Sequence, residues 1–232
     1  METNAVGPVK QQVSIAVGDG VLRGDLDVPP GAVGIVLFVH ASGTSRMSPR
    51  NQYVAKVLHR ARLATLLLDL LSEDEELEDD LTAAFRFDMG LLANRLTAAI
   101  RWVQASPELQ QLPIGLFGAS TGAAAALVVA AAEQESVEAV VCRGGRPDLA
   151  GHTLALVRAA TLLIVGGYDP TVLTLNRDAL HQLVCEKRLS VVPRATHLFE
   201  EPGALEEVAR LAQQWLVWHL AGQPAFEGAL AG

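Results

Sequence analysis

The chain has few of the residues that mark several classes of protein. Only two of its 232 residues are cysteine, Cys142 and Cys185, and each ends an apolar or helical segment. This usage predicts buried free thiols and a reducing compartment rather than a disulfide framework. No group of histidines and cysteines has metal-ligand spacing, and neither glycine-rich phosphate-binding motif occurs. We therefore expect no metal and no organic cofactor.

Long apolar runs and a basic surplus are also lacking. The longest uninterrupted apolar run, Ala123 to Ala132, has ten residues, which is too few to span a bilayer. Residues 1–10 contain no apolar core of a signal peptide, so we expect a cytoplasmic protein that does not associate with membranes. With a formal net charge of −8, the chain offers no basic surface to nucleic acid.

The acidity is concentrated in one segment, residues 73–80. Seven of these eight residues are aspartate or glutamate, and they account for nearly all of the net charge of −8. We predict that the segment is a solvated loop. The alternative is a site for a cation or a partner.

Apolar and amphipathic segments alternate along the chain. Half of the residues are hydrophobic and 19% are charged, which indicates a compact globular domain. Residues 13–28 have the alternation of an antiparallel hairpin, and short apolar runs then alternate with helical periodicity. This order predicts one α/β domain over residues 1–232, with about eight strands in a mostly parallel sheet, helices on both faces and no lid domain. Residues 222–232 are expected to form a loosely ordered tail.

The most informative segment covers residues 118–122, Gly-Ala-Ser-Thr-Gly, which reads G-x-S-x-G. It follows the apolar run 113–117 and precedes an alanine-rich helical stretch. This is the context of a nucleophile elbow, a strained strand-to-helix turn that presents a serine hydroxyl. The glycines avoid collisions with the neighbouring strand and helix. We predict that Ser120 is a nucleophile, and the alternative is a serine in a structural turn.

Asp169 and His197 each lie just past a short apolar run, and they follow Ser120 in the order serine, acid, histidine. A serine hydroxyl becomes a strong nucleophile when an imidazole accepts its proton. The imidazole needs a carboxylate on its other nitrogen to fix its tautomer. We therefore predict a triad of Ser120, Asp169 and His197. The main alternative acid is Asp148, followed by Asp69 and Glu73, and the alternative histidine is His152.

Two backbone N–H groups are expected to bind the oxyanion of such a reaction. One belongs to Thr121, directly after the predicted nucleophile, and the other to Ser42 or Ala41 in the loop after the apolar run 34–39. His40 follows that run directly. Its imidazole either braces the loop by hydrogen bonds or contacts the substrate.

Four arginines follow predicted strands, on the edge of the sheet where the predicted nucleophile lies. Arginine binds carboxylate or phosphate through paired hydrogen bonds, so Arg46 and Arg143, together with His40, are predicted to bind substrate. The alternative is that the arginines form ion pairs with the acidic segment or with Asp148. The four arginines are Arg46, Arg50, Arg143 and Arg146.

Together these segments resemble the α/β-hydrolase superfamily and, within it, the dienelactone-hydrolase-like branch. The resemblance covers nearly the whole chain. Two further segments are similar to small hydrolases that are sometimes fused to phosphoribosyltransferase domains. The segments that carry the resemblance are residues 39–43 (VHASG), 117–122 (FGASTG), 166–169 (GGYD) and 195–197 (ATH), with residues 45–51 and 143–150 as the two further segments.

The resemblance implies a serine hydrolase that cleaves a small carboxylic ester or lactone through an acyl-enzyme on Ser120. Dienelactone hydrolases proper have a cysteine nucleophile, so the serine favours ordinary ester chemistry. Some members of the branch resemble promiscuous phosphotriesterases, and a phosphotriester is therefore expected to be a poor substrate. The expected partner is a small molecule, not nucleic acid or a membrane, and the expected assembly is a monomer or homodimer. The alternative is a non-catalytic scaffold that binds a ligand or partner.

Overall fold

An eight-stranded sheet forms the centre of the protein. The computed structural model describes residues 9–18, 20–40 and 45–222. The strands are β1 (Val9–Val17), β2 (Gly20–Val28), β3 (Gly34–His40), β4 (Leu63–Asp69), β5 (Ile114–Ala119), β6 (Val137–Arg143), β7 (Ala160–Gly166) and β8 (Lys187–Val192).

The sheet is antiparallel at one edge and parallel elsewhere. The strand order is β1-β2-β4-β3-β5-β6-β7-β8. The pairs β1–β2 and β2–β4 are antiparallel, and every neighbouring pair from β4 to β8 is parallel. The carboxyl ends of the parallel strands therefore meet at one edge, where sheets of this kind bind their ligands. The predicted α/β-hydrolase fold is confirmed.

The described ranges contain six α-helices. They are α1 (Pro49–Arg60), α2 (Glu73–Thr82), α3 (Met89–Ala105), α4 (Thr121–Ala132), α5 (Pro170–Gln182) and α6 (Ala204–Leu220), and a 3-10 segment, Pro147–Leu156, precedes β7.

The helices divide the apolar interior into two cores. Helices α1 and α6 enclose one core, in which Leu58 and Leu216 pack with Phe38 and Phe117 of the sheet. Helices α3, α4 and α5 enclose the other core on the opposite face. None of the helices in the described ranges is long and apolar enough to cross a membrane.

The acidic segment forms helix α2, so the predicted loop over residues 73–80 is wrong. Ser72 and Glu75 form a reciprocal capping box, in which each side chain accepts the backbone N–H of the other at 3.2 and 2.8 Å. Acidic side chains in the first turn also face the positive end of the helix dipole. Arg95 of α3 binds both oxygens of Glu75, at 2.6 and 2.7 Å, and these bonds lower the pKa of Glu75 to about 2.

Candidate active site

Ser120 lies in the turn between β5 and α4. Its backbone has a φ of 52° and a ψ of −123°, a conformation that costs a residue other than glycine about 1–3 kcal/mol. Tight packing around the turn holds this conformation, since a Cβ on Gly122 would overlap the carbonyl oxygen of Val39 on β3. Only glycine at this position lets α4 approach β3 so closely. The approach fixes the serine at the carboxyl edge of the sheet.

The side chains of Asp169 and His197 form a hydrogen-bonded pair. Nδ1 of His197 lies 2.7 Å from Oδ2 of Asp169. The two residues follow β7 and β8, which are neighbours in the sheet, so their loops meet at its edge. A carboxylate only accepts hydrogen bonds, so Nδ1 carries the proton. In the neutral form of the ring, Nε2 is then the nitrogen with a lone pair that can accept a proton.

The other oxygen of Asp169 caps a helix. Oδ1 accepts the backbone N–H of Val172 at 3.3 Å, in the first turn of α5. The bond fixes the plane of the carboxyl group and places its charge at the positive end of the helix dipole. The group that orients His197 is therefore itself oriented by the scaffold.

The loop after β6 lies between Ser120 and His197 and contacts both. The backbone N–H of Ser120 donates to the carbonyl of Arg143 at 3.3 Å, and the carbonyl of Ser120 accepts the N–H of Arg146 at 3.1 Å. At Gly144, where φ is 52°, a Cβ would lie 3.5 Å from Nδ1 of His197. The short segment 143–146 therefore contacts the serine turn on one side and His197 on the other.

Each alternative acid pairs with an arginine instead of a histidine. Of the acids weighed from the sequence, Asp169 alone contacts a histidine within the described ranges. The alternative histidine, His152, is exposed in the 3-10 segment. The pairs of the alternative acids are Arg146–Asp148 at 2.7 Å, Arg46–Asp69, and Arg23–Glu73 at 2.6 Å.

The predicted oxyanion donors fall partly within the described residues. Thr121 is the first residue of α4, so its N–H is one of the amides that have no partner within the helix. The N-terminus of a helix favours negative charge, and here it faces the serine turn. Ala41 and Ser42 lie outside the described residues, and their part in binding an oxyanion stays a prediction.

Arg46 lies among carboxylates at the sheet edge. Its guanidinium pairs with Asp69 and lies 3.6 Å from Asp25, and its backbone N–H donates to Oδ1 of Asp69 at 2.6 Å. Arg50 pairs with Glu200 at 3.0 Å. Both arginines thus form ion pairs, which is the alternative to substrate binding. Their carboxylate partners, however, lie outside the acidic segment 73–80. A substrate contact by Arg46 stays a prediction.

His40 ends β3 and is only 2% exposed. Its Nδ1 lies 3.1 Å from the carbonyl oxygen of Leu68, so Nδ1 carries the proton. Burial lowers the pKa of His40 to about 4, and the charge of Arg143 acts in the same direction, so the ring is neutral at pH 7. The bond to Leu68 ties the end of β3 to β4. The bracing role and the substrate contact of His40 both stay predictions.

Arg143 ends β6 and is 5% exposed. Burial lowers the pKa of its guanidinium to about 10, with the charge of Arg50 as the second cause, so the group stays cationic at neutral pH. Asn51 of α1 is also buried, and its side chain acts on His40, whose pKa it raises slightly against the effect of burial. Asn51 is not among the predicted site residues. Its spacing of three and seven residues from Val54 and Leu58 is the sequence signal that marks it as buried.

Both cysteines are free thiols. Cys142 is buried in the core, as predicted, and burial raises its pKa to about 12, so the thiolate that nucleophilic chemistry needs does not form at neutral pH. Cys185 is half-buried. Ser120 is therefore the better candidate nucleophile.

Two cavities of about 490 and 540 Å³ lie beside the β1–β2 hairpin. One lies between the hairpin and α1, and the other between the hairpin and α3. Ser120, Asp169 and His197 line neither of them. In the part of the chain that the structure describes, no group of three or more histidine, cysteine or acidic side chains is arranged to hold a metal.

The sheet carries a serine turn after the central strand β5 and an acid–histidine pair on the loops after β7 and β8, an arrangement that defines the α/β-hydrolase class. A model described as the dienelactone hydrolase family matches residues 53–219. The crystal structure of a dienelactone hydrolase from Anabaena variabilis is 58% identical, with a TM-score of 0.89 over 92% of this chain and 99% of that one. The chain belongs to the dienelactone hydrolase family.

Relatives from Mycobacterium tuberculosis carry a different name. Two proteins, from strains CDC 1551 / Oshkosh and H37Rv, are provisionally named phosphoribosyl transferases. They are 52% identical over 212 residues, which is 91% of this chain and 47% of theirs. The chain therefore spans about half the length of the curated relatives it matches.

A more distant structure shares the fold alone. It is a dienelactone hydrolase-like promiscuous phosphotriesterase from metagenomic libraries, 19% identical with a TM-score of 0.73, over 93% of this chain and all of that one. At this sequence identity the similarity shows the fold, and no substrate is inferred from it.

Proposed function

We propose that the protein is a serine hydrolase that cleaves a small carboxylic ester or lactone through an acyl-enzyme on Ser120. The observation that carries the proposal is the 2.7 Å contact between Nδ1 of His197 and Asp169, at the sheet edge where the turn after β5 holds a serine with a φ of 52°. Backbone strain of this kind clusters at functional sites. Membership of the dienelactone hydrolase family supports a hydrolase.

In the first half-reaction, Oγ of Ser120 bonds to the carbonyl carbon of the substrate while Nε2 of His197 accepts the hydroxyl proton. The carbonyl π pair moves to the oxygen. The N–H of Thr121, together with that of Ser42 or Ala41, stabilises the resulting negative charge, at about 3 kcal/mol for each donor. The bond to the alcohol then breaks, and the alcohol leaves with the proton from His197.

In the second half-reaction, a water molecule replaces the alcohol. His197 accepts a proton from the water as its oxygen attacks the acyl carbon, and the bond to Ser120 then breaks. The histidine returns the proton to Oγ of the serine. Asp169 stays ionised throughout, holds the tautomer and balances the imidazolium.

A phosphotriester is proposed as a poor substrate of the same serine. The attack on phosphorus follows the same proton path to His197. Release of the phosphorylated serine needs a water placed for attack on phosphorus, in a site arranged for a planar acyl group. Such compounds therefore act first as inhibitors.

Two other functions fit the same fold. A non-catalytic scaffold has no need of both an acid–histidine pair and a strained serine at one edge of the sheet, so it is the weaker proposal. Transfer of the acyl group to an alcohol other than water shares the first half-reaction, and product analysis distinguishes it. The name of the mycobacterial relatives is not carried over, because more than half of their length lies outside the match.

The experiment that tests the proposal is labelling with a fluorophosphonate probe, read by intact-mass analysis. We expect one adduct on each chain, none on Ser120→Ala, and much slower labelling of His197→Ala. The matched control is His152→Ala, which changes an exposed histidine and is expected to react like the wild type. No adduct, or an equal adduct on Ser120→Ala, contradicts the proposal.

A further inference from the structure

Arg143 carries a positive charge that no acidic group pairs with in the part of the chain that the structure describes. The residue is 5% exposed, and its Nη1 has no hydrogen-bond partner there. By contrast, Arg46, Arg50 and Arg146 at the same edge each have a carboxylate partner. A buried charge without a partner destabilises the folded state, so its presence calls for a reason.

The sheet places this residue directly beside the serine turn. Arg143 pairs with Ala119, the residue before Ser120, in the register of β5 and β6. Side chains alternate across a strand, and Val141, two residues earlier, faces the core under α1 and α6. The side chain of Arg143 therefore points to that face of the sheet.

The side chain extends under β5 toward β3. His40 shares the face of Arg143, because Phe38, two residues before it, lies in the same core. Strands β3 and β6 flank β5 and lie two strand spacings apart, about 10 Å. The charge of Arg143 nevertheless acts on His40 and helps to lower its pKa. The guanidinium therefore extends toward the end of β5, the strand that leads into the turn of Ser120.

The neighbouring groups leave this charge uncompensated. The ring of His40 is neutral at pH 7 because its pKa is about 4. Arg50 adds a second cation, but Glu200 pairs with it at 3.0 Å. Asp69 is already paired with an arginine at the edge. The positive potential under the turn thus adds to that of the N-terminus of α4.

We propose that Arg143 is an electrostatic positioning residue for the hydrolysis at Ser120, an inference that rests on the proposed function. As Oγ of Ser120 bonds to the carbonyl carbon, the π pair moves to oxygen and a negative charge forms above the guanidinium. Coulomb attraction through the buried interior is much stronger than through water, so the cation stabilises this charge without touching the substrate. A neutral ester gains little from it, so the effect falls on the transition state.

A role in catalysis accounts for an unpaired cation at this position. An apolar residue of similar size is expected to give a more stable fold, since it removes a buried charge without a partner. The residue therefore trades stability for activity, as functional sites commonly do. The experiment therefore measures whether removal of the charge lowers kcat while it leaves the stability of the fold equal or higher.

The central variant is Arg143→Met, which removes the charge and keeps most of the volume. For a p-nitrophenyl acetate substrate we expect kcat to fall by about 10-fold or more, with KM changed less than about threefold. The midpoint of urea unfolding is expected to stay equal or rise. Arg143→Lys keeps a cation and is expected to recover most of kcat. Arg101→Met makes the same change at an exposed position of α3 and is expected to leave kcat unchanged.

A boronic acid provides a second readout, because it forms a negatively charged tetrahedral adduct with serine. We expect Arg143→Met to bind it about 10-fold more weakly than the wild type. Equal kcat and equal boronic acid affinity overturn the inference. Loss of both stability and kcat in the Met and Lys variants shows a structural role and also overturns it.

Two controls keep the outcome decisive. If Arg143→Met does not fold, Arg143→Gln supplies the uncharged variant in the same assays, with the same expected losses. A wild-type chain that does not react with the fluorophosphonate overturns the proposed function and this inference with it. A reactive wild type with an equally reactive Arg143→Met overturns the inference alone.

Discussion

Gly166 packs directly against the backbone of Ala195, where a Cβ on the glycine would overlap the carbonyl oxygen of the alanine. The same carbonyl accepts the N–H of Tyr168 at 2.9 Å. The loop that carries Asp169 and the loop that carries His197 are thus held together as one unit. The contact leaves no room for a side chain.

Gly166→Ala is expected to separate these two loops. The added methyl group forces the backbones apart, which costs about 1–3 kcal/mol of unfolding free energy and lowers kcat by about 10-fold or more, because small displacements of catalytic groups have large effects. Urea unfolding and ester hydrolysis measure the two effects. Gly90→Ala, in the first turn of α3, is the matched control and is expected to keep both values. Full activity of Gly166→Ala would show that the contact does not set the geometry of the pair.

Asp169→Asn is expected to remove catalysis and keep the fold. Asparagine caps helices as well as aspartate does, so α5 and the unfolding free energy are preserved. The amide cannot hold the same histidine tautomer or balance the imidazolium, so kcat is expected to fall by about 10³- to 10⁴-fold. The matched control is Asp148→Asn, which breaks the pair with Arg146. A larger loss in that variant than in Asp169→Asn assigns the acid to Asp148 instead.

The pair between Glu75 and Arg95 predicts one part of the acid stability. The pKa of Glu75 lies at about 2 in the folded protein against 4.5 as its ordinary value. A lowered carboxyl pKa stabilises the fold above pH 4.5, and this contribution is lost as the pH falls toward 2. Glu75→Gln keeps the capping box and removes the charge. We expect it to lower the unfolding free energy at pH 7 by about 1–2 kcal/mol, allowing for partial exposure of the pair.

Urea unfolding at several pH values measures this difference. It is expected to narrow steadily between pH 4.5 and pH 2, where the wild-type carboxylate becomes protonated. A difference that stays constant with pH shows that the charge is not its source.

His40 predicts a second pH dependence, over a different range. Its pKa is about 4 when folded and 6.5 as the ordinary value, so between these pH values the proton binds to the unfolded chain only. The contribution of His40 to the unfolding free energy is therefore fully present above pH 6.5. It is lost as the pH falls from 6.5 to 4, by up to about 3 kcal/mol. His40→Gln is expected to remove most of this slope.

The control for that slope is His181→Gln, which changes an exposed histidine at the end of α5 and is expected to leave it intact. His219 contributes a smaller residual slope, since burial also lowers its pKa. A slope that is the same in His40→Gln and the wild type rejects the assignment to His40.

The elements around Ser120 were predictable because their signals are local. Gly122 is required because it packs against the neighbouring strand β3. Contacts of this kind recur wherever a strand turns sharply into a helix. Alternating apolar and amphipathic segments likewise predicted the sheet, because burial on both faces leaves no polar side of a strand.

The burial of Arg143 was not predictable in this way. The residue stands at the end of an apolar strand, a position that normally reaches solvent at the sheet edge. The charge of Arg50 on α1, 93 residues earlier in the chain, acts on its guanidinium, so part of its surroundings comes from an element distant in sequence. Long-range packing of this kind leaves no periodic signal in the sequence.

Helix α2 is a different kind of miss. Ser72 followed by Glu75 is a capping-box pattern, and it stands in the sequence before the acidic run. Charge density favoured a solvated loop, but the carboxylates of the first turn are stabilised by the helix dipole and by Arg95. Local capping therefore outweighed repulsion among the acids.

The two oxygens of Asp169 accept hydrogen bonds from different parts of the protein. Oδ1 accepts the backbone N–H of Val172 at the start of α5, and Oδ2 accepts the imidazole N–H of His197. Glutamate at this position would have to give up one of the two contacts, because its longer side chain cannot cap α5 and meet the same imidazole nitrogen from one backbone position. The orientation of His197 and the start of α5 therefore depend on one short side chain, so a replacement that is too long or cannot cap a helix disturbs both.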